Sequence, residues 1–318
     1  MAIKKHLLRL FVFAAICLAG YLLYRTLSKY SFSELKGSLF SISAWHLAGA
    51  IGFAACSYFC LTFFDYLGLR YAGRPMPYPK VAYASFTSLS IGHNIGVAAL
   101  SGGAVRYRFY SKWGASGGEV ANVILFSGVT VLLGLITLAG TALLLRPQAA
   151  SEMTMLGVTT IRILAIGGLC VPLAYIGIAA FYSDFTWRFK HWEFRIPQMK
   201  LAIAQIAVGL VNFAFVAACL HQTVLAFADV GYIDVAAVYA IANGTALISH
   251  VPGGLGVLEA TVLYLLRGAP LVGAVLAFRF CYFLLPLMIG LPMLLLAEGG
   301  ILRKTDRDKK EQASASRA

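Results

Sequence analysis

Charged residues are scarce in this sequence. Asp, Glu, Lys and Arg make up only 12% of its 318 residues, whereas 60% of the residues are hydrophobic. Soluble domains carry about 25% charged and about 45–50% apolar residues. A soluble chain of this length has no way to bury so much apolar surface, but a lipid bilayer accommodates it. The composition therefore excludes an ordinary soluble protein and predicts an all-α, polytopic integral membrane protein.

Signatures of catalysis, metal binding and cofactor binding are also missing from the sequence. The six cysteines all lie inside apolar runs, and none forms a CxxC pair or joins a histidine at metal-ligand spacing. There is no phosphate-binding P-loop, nucleotide fold or nucleophile–base pair. We therefore expect neither metal nor cofactor, and we do not expect an enzyme. The cysteines are Cys17, Cys56, Cys60, Cys170, Cys219 and Cys281.

The formal net charge is +13. Lys and Arg lie between apolar runs, in short loops and in the C-terminal tail, where they set membrane orientation and meet anionic headgroups. This placement favours a membrane over a nucleic-acid partner. Residues 303–318 are charged and then rich in Ser and Ala, so we expect a membrane domain over residues 1–302 followed by a disordered cytoplasmic tail.

Six apolar runs are each long enough to cross about 30 Å of hydrocarbon, which takes about 20 helical residues. Two further apolar stretches, Val81–Leu100 and Val235–Leu266, are interrupted by polar and glycine residues. If Val81–Leu100 crossed, the basic loops before and after it would lie on opposite sides, against the positive-inside bias. We therefore predict six full spans and two re-entrant segments. The full spans are Leu7–Leu27, Ala44–Phe64, Val120–Leu145, Ile161–Tyr182, Leu201–Ala228 and Leu271–Ala297.

The two interrupted stretches resemble each other. Each passes from a histidine, His93 or His250, into a break that contains glycine, and Asn94 follows the first of them. Three spans separate the stretches, so they would enter from opposite faces, as in the inverted repeats of transporters whose sites lie near the midplane. Chance similarity of two Gly-rich stretches is the alternative. The histidines are either structural hydrogen-bonding residues or groups that couple protons or contact a headgroup.

Glu259 and Arg279 are opposite charges within apolar stretches. Each lies ten positions from Ala269, at the centre of a predicted turn, so in a helical hairpin both lie about 15 Å deep at the same level. A lone charge at that depth costs about 2.5–3.5 kcal/mol or more, and two opposite charges there predict an ion pair. The pair is either a headgroup-binding element or a structural lock between two helices.

The second break contains Pro252, Gly253, Gly254 and Gly256. Proline lacks an N–H group and glycine tolerates unusual backbone angles, so a helix does not continue cleanly through this sequence. The half-helix that follows would aim free N–H groups and a positive dipole into the membrane, which suits a lipid phosphate. A tight turn between packed helices is the alternative.

Arg106 and Arg108 lie among aromatic residues just after the first break. They act either as a positive-inside anchor or as a clamp for phosphate, which arginine binds in a bidentate manner. Asp65, Asp184 and Glu298 lie at span ends, and we expect them to be solvated.

Three stretches, 92–111, Ser249–Glu259 and 277–286, resemble a known family. Their sequences are similar to the transmembrane region of lysylphosphatidylglycerol synthetase, which also occurs alone as the UPF0104 (YbhN-like) bacterial inner-membrane proteins. The resemblance covers roughly residues 7–300, and Pro-Gly-Gly-x-Gly-Val-x-Glu is its most specific part. It implies a multi-pass protein of the bacterial inner membrane and a flippase that moves aminoacylated phosphatidylglycerol between leaflets.

In the full-length synthetases a C-terminal soluble domain makes that lipid from aminoacyl-tRNA. This chain stops at Ala318 without such a domain, so we do not expect aminoacyl transfer, and the lipid it moves need not be the same one. We expect a translocase of anionic or aminoacylated phospholipid. Its candidate headgroup-binding residues are His93, Asn94, Arg106, Arg108, His250, Pro252, Gly253, Gly254, Gly256, Glu259 and Arg279.

The alternative function is a non-transporting membrane partner that positions a phospholipid-synthesising enzyme. An enzyme of that kind and a second copy of this chain both stay open as protein partners. An intramembrane enzyme is a third class, but the sequence shows no catalytic set for it.

Overall fold

A computed structural model describes residues 37, 40–95, 98–183, 185–189, 192–249, 251–266 and 271–297. The predicted first span, Leu7–Leu27, and the tail from residue 303 lie outside these residues, as do His250, Asp184 and Glu298. The division into a membrane domain and a tail therefore stays a prediction.

The described chain is almost entirely helical, which confirms the all-α prediction. The helices are α1 (Ala44–Tyr71), α2 (Tyr78–Ile95), α3 (Ala98–Lys112), α4 (Gly117–Leu145), α5 (Pro147–Thr154), α6 (Val158–Phe181), α7 (Met199–Leu225), α8 (Tyr232–Ser249), α9 (Val257–Leu265) and α10 (Val272–Ala297).

One short β-hairpin was not predicted. Strands β1 (Thr186–Phe189) and β2 (Trp192–Arg195) pair antiparallel between α6 and α7. The stretch lies between two predicted spans, and its Thr, Trp and Phe residues favour strands.

Six of the described helices are long and apolar enough to span a bilayer: α1, α4, α6, α7, α8 and α10. Five of them correspond to predicted spans. The sixth, α8, has 18 residues and was assigned to the second interrupted stretch. Its length is sufficient to cross, but its C-terminal end leads into a break from which the chain turns back.

Helices α2 and α3 form the first predicted hairpin and pack along each other. Lys80, near the start of α2, lies with its Nζ 5.9 Å from the ring centroid of Trp113, just after α3. The chain therefore returns to the end of the bundle from which it left. The predicted boundary at Leu100 was too early, because the basic residues that resembled a loop, Arg106 and Arg108 among them, lie on α3.

Helices α8 and α9 form the second predicted hairpin, and α9 packs back along α8. A 3₁₀ turn, Pro252–Gly254, separates them. Gly253, Gly254 and Gly256 have φ angles of 61°, 60° and 84°. These angles fall in the left-handed region that glycine adopts without steric cost, which explains why three glycines occur in this break.

The two hairpins start from opposite ends of the bundle. Helices α1 and α7 run antiparallel, with His46 Nδ1 2.9 Å from Gln222 Oε1 at one end. At the other end the Tyr71 hydroxyl donates to the carbonyl oxygen of Arg195 at 2.6 Å. Helix α2 follows the Tyr71 end, whereas α8 follows the Gln222 end. The order helix, hairpin, helix thus occurs twice in opposite orientations, as the predicted inverted repeat requires.

Helices α4 and α7 approach closely through two glycines. A Cβ atom at Gly209 would lie 2.7 Å from the carbonyl oxygen of Thr130 and 3.0 Å from the Cα of Gly134. Small residues at such crossings allow backbone contact between membrane helices.

We predict that Gly209→Ala destabilises the protein by about 1–3 kcal/mol, because the added methyl group overpacks the crossing. Gly128→Ala is the matched control, since a Cβ there has no neighbour within 4 Å. Thermal unfolding in detergent, followed by thiol labelling of the buried cysteines, measures both. Equal midpoints for the two variants would show that the crossing is loose.

Candidate functional site

The tips of the two hairpins touch each other. A Cβ atom at Gly253 would lie 3.4 Å from the carbonyl oxygen of His93 and 3.5 Å from that of Asn94. We call this meeting of the α2 end with the 3₁₀ turn the tip contact. Residues that the sequence places half a chain apart therefore form one region, which is the arrangement predicted from the paired breaks.

His93 and Asn94 are half-buried at the tip of the first hairpin. The Tyr58 hydroxyl of α1 lies 3.3 Å from His93 Nδ1, and the imidazole stacks on the Tyr282 ring with 6.1 Å between centroids. Asn94 Nδ2 donates to the carbonyl oxygen of Phe283 at 3.1 Å. Both side chains thus hold the tip against α1 and α10. Of the two interpretations of His93, a structural hydrogen-bonding role accounts for these contacts.

Helix α10 contains a π-helical turn at Phe280–Leu284, which was not predicted. Its signal in the sequence is Pro286, which has no N–H group to donate to the carbonyl four residues earlier, at Tyr282. That carbonyl oxygen instead accepts a hydrogen bond from Tyr58 at 3.3 Å. Such turns frequently occur at functional sites, and here the turn supplies backbone acceptors to both α1 and α2.

The predicted ion pair between Glu259 and Arg279 is confirmed. Arg279 Nε donates to Oε1 at 2.5 Å and Nη2 donates to Oε2 at 3.0 Å. Glu259 is 7% exposed and Arg279 is 5% exposed. A pair with two parallel bonds is the strong geometry for arginine and carboxylate, and it links α9 to α10.

Arg279 also binds the second break. Its Nη1 donates to the carbonyl oxygen of Gly253 at 2.7 Å, and Nη2 donates to that of Gly254 at 3.0 Å. The guanidinium carbon lies 4.5 Å from the ring centroid of Phe283. Backbone carbonyls in a broken membrane helix need such partners, so the arginine satisfies the turn as well as neutralising the glutamate.

Glu259 caps the half-helix that was predicted to bind phosphate. Its Oε2 accepts a hydrogen bond from the backbone N–H of Gly256 at 2.8 Å. This is the reach-back contact that a glutamate in the first turn makes in a capping box. The helix N-terminus thus has an anion of its own in this conformation, and a phosphate role for this segment stays a proposal.

A second buried ion pair joins Asp65 of α1 to Arg106 of α3. Arg106 Nε lies 3.0 and 2.8 Å from the two carboxylate oxygens, and the Tyr110 hydroxyl donates to the same carboxylate at 2.7 Å. Asp65 is fully buried, so the prediction that it is solvated is wrong. The apolar run does not end at Phe64, because α1 continues to Tyr71.

The structure does not bring Arg106 and Arg108 together as one clamp. Side chains two positions apart on a helix do not face each other, and Arg106 is directed at Asp65. Arg108 lies half-buried on another side of α3.

The family model described as the lysylphosphatidylglycerol synthase TM region matches residues 11–290. The chain belongs to this family. The resemblance drawn from its three motifs is thereby confirmed.

Similar proteins support the assignment. The inner membrane protein YbhN of Escherichia coli is 30% identical over 258 residues, which cover 79% of this chain and 80% of that protein. The protein slr0712 of Synechocystis is 29% identical over 267 residues, 82% of each chain. The phosphatidylglycerol lysyltransferase of Staphylococcus haemolyticus is 23% identical over 97% of this chain but only 36% of its own length.

The six apolar helices and the relationship to an inner-membrane protein agree with each other. This member of the family is a multi-pass protein of the bacterial inner membrane, as predicted. The match is to the transmembrane region of the family, so it carries the membrane architecture and not the lysyl transfer of the longer relative.

We predict that Arg106→Gln destabilises the protein by about 3–5 kcal/mol, because it leaves the buried Asp65 carboxylate without its partner. The double variant Asp65→Asn/Arg106→Gln removes both charges, and we expect it to lose less stability than the single variant. Thermal unfolding in detergent measures the difference. If Arg106 instead serves only as a phosphate clamp, the single variant keeps its stability and loses only lipid binding.

Proposed function

We propose that this protein translocates an anionic or aminoacylated phospholipid between the leaflets of the inner membrane. The observation that carries the proposal is the tip contact, where hairpins from opposite ends of the bundle meet. Each hairpin replaces a continuous apolar helix with two shorter helices, and at the tips the backbone carbonyls of His93 and Asn94 lie against Gly253. Together the two breaks align polar groups from both ends of the molecule.

A headgroup needs such a route because charges are expensive in hydrocarbon, by about 2.5–3.5 kcal/mol or more for a single ionised side chain. The tip contact itself is formed by Gly253 against backbone carbonyls of His93 and Asn94, and the residues that the structure describes form no ion pair across it. Separation of the tips then opens two polar surfaces. Rocking of one repeat against the other is the usual motion in inverted-repeat transporters.

The groups near the contact match the chemistry of an aminoacylated headgroup. Its ammonium is a donor for the carbonyl oxygens of His93 and Asn94, and for Glu259. Its phosphate is an acceptor for Arg279, which binds phosphate as well as carboxylate in a bidentate manner. The Glu259–Arg279 pair therefore acts as a gate. When the substrate enters, Glu259 binds its ammonium and Arg279 binds its phosphate, and the ion pair between the two side chains opens.

A second candidate function is a non-enzymatic membrane partner that positions a phospholipid-synthesising enzyme. The observation that favours it is the match to a phosphatidylglycerol lysyltransferase over only 36% of that protein. In that relative the matched region is one part of a longer chain. A separate chain of this family can therefore position a phospholipid-synthesising enzyme by binding to it. In either case we infer that this chain itself is not the enzyme.

The deciding experiment locks the tips. Asn94→Cys/Gly253→Cys, made in a background without the native cysteines, is joined by a short reducible thiol crosslinker in proteoliposomes that contain a fluorescent phosphatidylglycerol. We expect the crosslinked protein to translocate lipid at the protein-free rate, because the tips no longer separate. Reduction of the crosslink restores transport, and leaflet-specific quenching of the fluorophore measures it.

Each single-cysteine variant is the matched control, and its transport is the same before and after treatment with the reagent. Transport that continues through the crosslink shows that the tip contact is not on the route. No transport by the unmodified protein for any common phospholipid rejects the translocase proposal itself.

Arg279→Glu separates the two candidate functions. A translocase loses transport, since the reversed charge repels both Glu259 and the phosphate, whereas a scaffold keeps binding its enzyme as long as it folds. Arg279→Lys, which retains the charge, is measured beside it, and the thermal midpoint in detergent establishes that each variant is folded. Unchanged transport by a folded Arg279→Glu protein contradicts the proposed gate.

A further inference from the structure

The β-hairpin between α6 and α7 has two chemically different faces. Its paired residues alternate along the ribbon between two aromatic residues and two polar ones. Directly paired residues share a face of an antiparallel ribbon, and successive residues of a strand belong to opposite faces. One face, which we call the aromatic face, consists of Trp187, Phe189, Trp192 and Phe194. The other, the polar face, consists of Thr186, Arg188, Glu193 and Arg195.

The hairpin is tied to the bundle at its base. The backbone N–H of Ile196 donates to the carbonyl oxygen of Phe185 at 3.2 Å, and the Tyr71 hydroxyl donates to that of Arg195 at 2.6 Å. Among the described elements, each strand packs along its partner strand and along no helix. Four aromatic residues together present several hundred Å² of apolar surface, and a patch of that size marks an interaction site. The aromatic face therefore needs a partner beyond the described helices.

The edges of the hairpin exclude the hydrocarbon core as that partner. In a two-stranded ribbon each strand has one unpaired edge, whose N–H and C=O groups need water or another hydrogen-bonding group. Open edges of this kind do not occur against lipid within the hydrocarbon region, and an isolated hairpin is at best marginally stable in water. The interface between the two satisfies both requirements, because headgroups and water bond to the edges while the aromatic rings lie on the apolar side. Tryptophan is enriched at this depth.

The hairpin starts at the level of the interface. Helix α6 has 24 residues and a length of about 36 Å, which exceeds the roughly 30 Å of hydrocarbon. Its end at Phe181 therefore lies near one membrane surface. Phe181, Tyr182 and Phe185 are 86%, 60% and 60% exposed. These aromatic residues lead from the exposed surface of α6 directly into the aromatic face.

We propose that the β-hairpin lies flat in the membrane interface, with its aromatic face on the acyl chains and its polar face in water. A bilayer is favoured over a soluble protein as the partner, because the aromatic face continues the exposed surface of a membrane-spanning helix. The polar face carries charges of both signs, Arg188 and Glu193, which suit water and select no class of headgroup. The hairpin then fixes the depth at which α6 ends and α7 begins. This inference does not depend on the translocation proposed above.

The test measures the depth of the hairpin tryptophans. The sequence has four tryptophans, so Trp45→Phe/Trp113→Phe leaves Trp187 and Trp192 as the fluorophores of the full-length protein. Nanodiscs of phosphatidylcholine brominated near the headgroup end or near the terminus of its acyl chains report contact with lipid, and iodide reports contact with water. We expect blue-shifted emission, strong quenching by the shallow bromine, weaker quenching by the deep bromine and little quenching by iodide.

The matched control moves the fluorophore by one position. Trp187→Phe/Trp192→Phe is added to that background, and Arg188→Trp then places a single tryptophan on the polar face, because neighbouring residues of a strand alternate between faces. We expect red-shifted emission that iodide quenches and that bromine at either depth leaves largely unchanged.

A pair of cysteine variants tests the two faces without changing any tryptophan. In a background without the native cysteines, we expect Glu193→Cys to react with a membrane-impermeant maleimide and Phe194→Cys, one position further, to react several-fold more slowly. Thermal midpoints in detergent establish that all variants are folded.

Three outcomes overturn the proposal. Iodide quenching of Trp187 and Trp192 as strong as that of the Arg188→Trp reporter places the aromatic face in water, where a soluble partner can reach it. Protection of Trp187 and Trp192 from both iodide and bromine shows that protein covers this face, either another part of this chain or a second copy. Equal bromine quenching of reporters on both faces contradicts the orientation.

Discussion

The contact between Arg279 and the second break is the interaction on which this architecture depends. A broken helix at membrane depth leaves carbonyl oxygens without partners, and each costs several kcal/mol in hydrocarbon, of order 2–7 kcal/mol. Arg279 donates to the carbonyls of Gly253 and Gly254, while Glu259 neutralises its charge and caps α9 through Gly256. One guanidinium thus makes the turn, the helix start and the ion pair mutually dependent. Without it the second hairpin has no stable tip to present to the first.

The two hairpins share a shape but are held by different chemistry. The second is fixed at its tip by the Glu259–Arg279 pair. The first is fixed near its base, where Arg106 of α3 binds Asp65 of α1, and at its tip the Asn94 amide donates to the carbonyl oxygen of Phe283. Because no ion pair crosses the tip contact among the described residues, relative motion of the two halves requires the least rearrangement there.

Prediction from sequence succeeded where a local quantity decides the outcome. Apolar length identifies the spans, the positive-inside bias identifies the hairpins, and equal distance from a turn pairs Glu259 with Arg279. It failed for Asp65, because a partner on another helix leaves no periodic or spacing signal in one sequence. It also missed the π-helical turn, although Pro286 was there to indicate which carbonyl would be freed.

The inverted repeat supplies two similar halves, but the charges of the sequence break their equivalence. At the end where Tyr71 meets Arg195, the lining of a cavity includes Arg70, Arg195 and Lys200. At the other end Arg146 and Asp234 lie 3.9 Å apart and offset each other. The fold alone would treat both leaflets alike, since each is entered by one hairpin. A preference between the leaflets therefore has to come from side chains that differ between the two halves, because the order of helices and hairpins is the same in both.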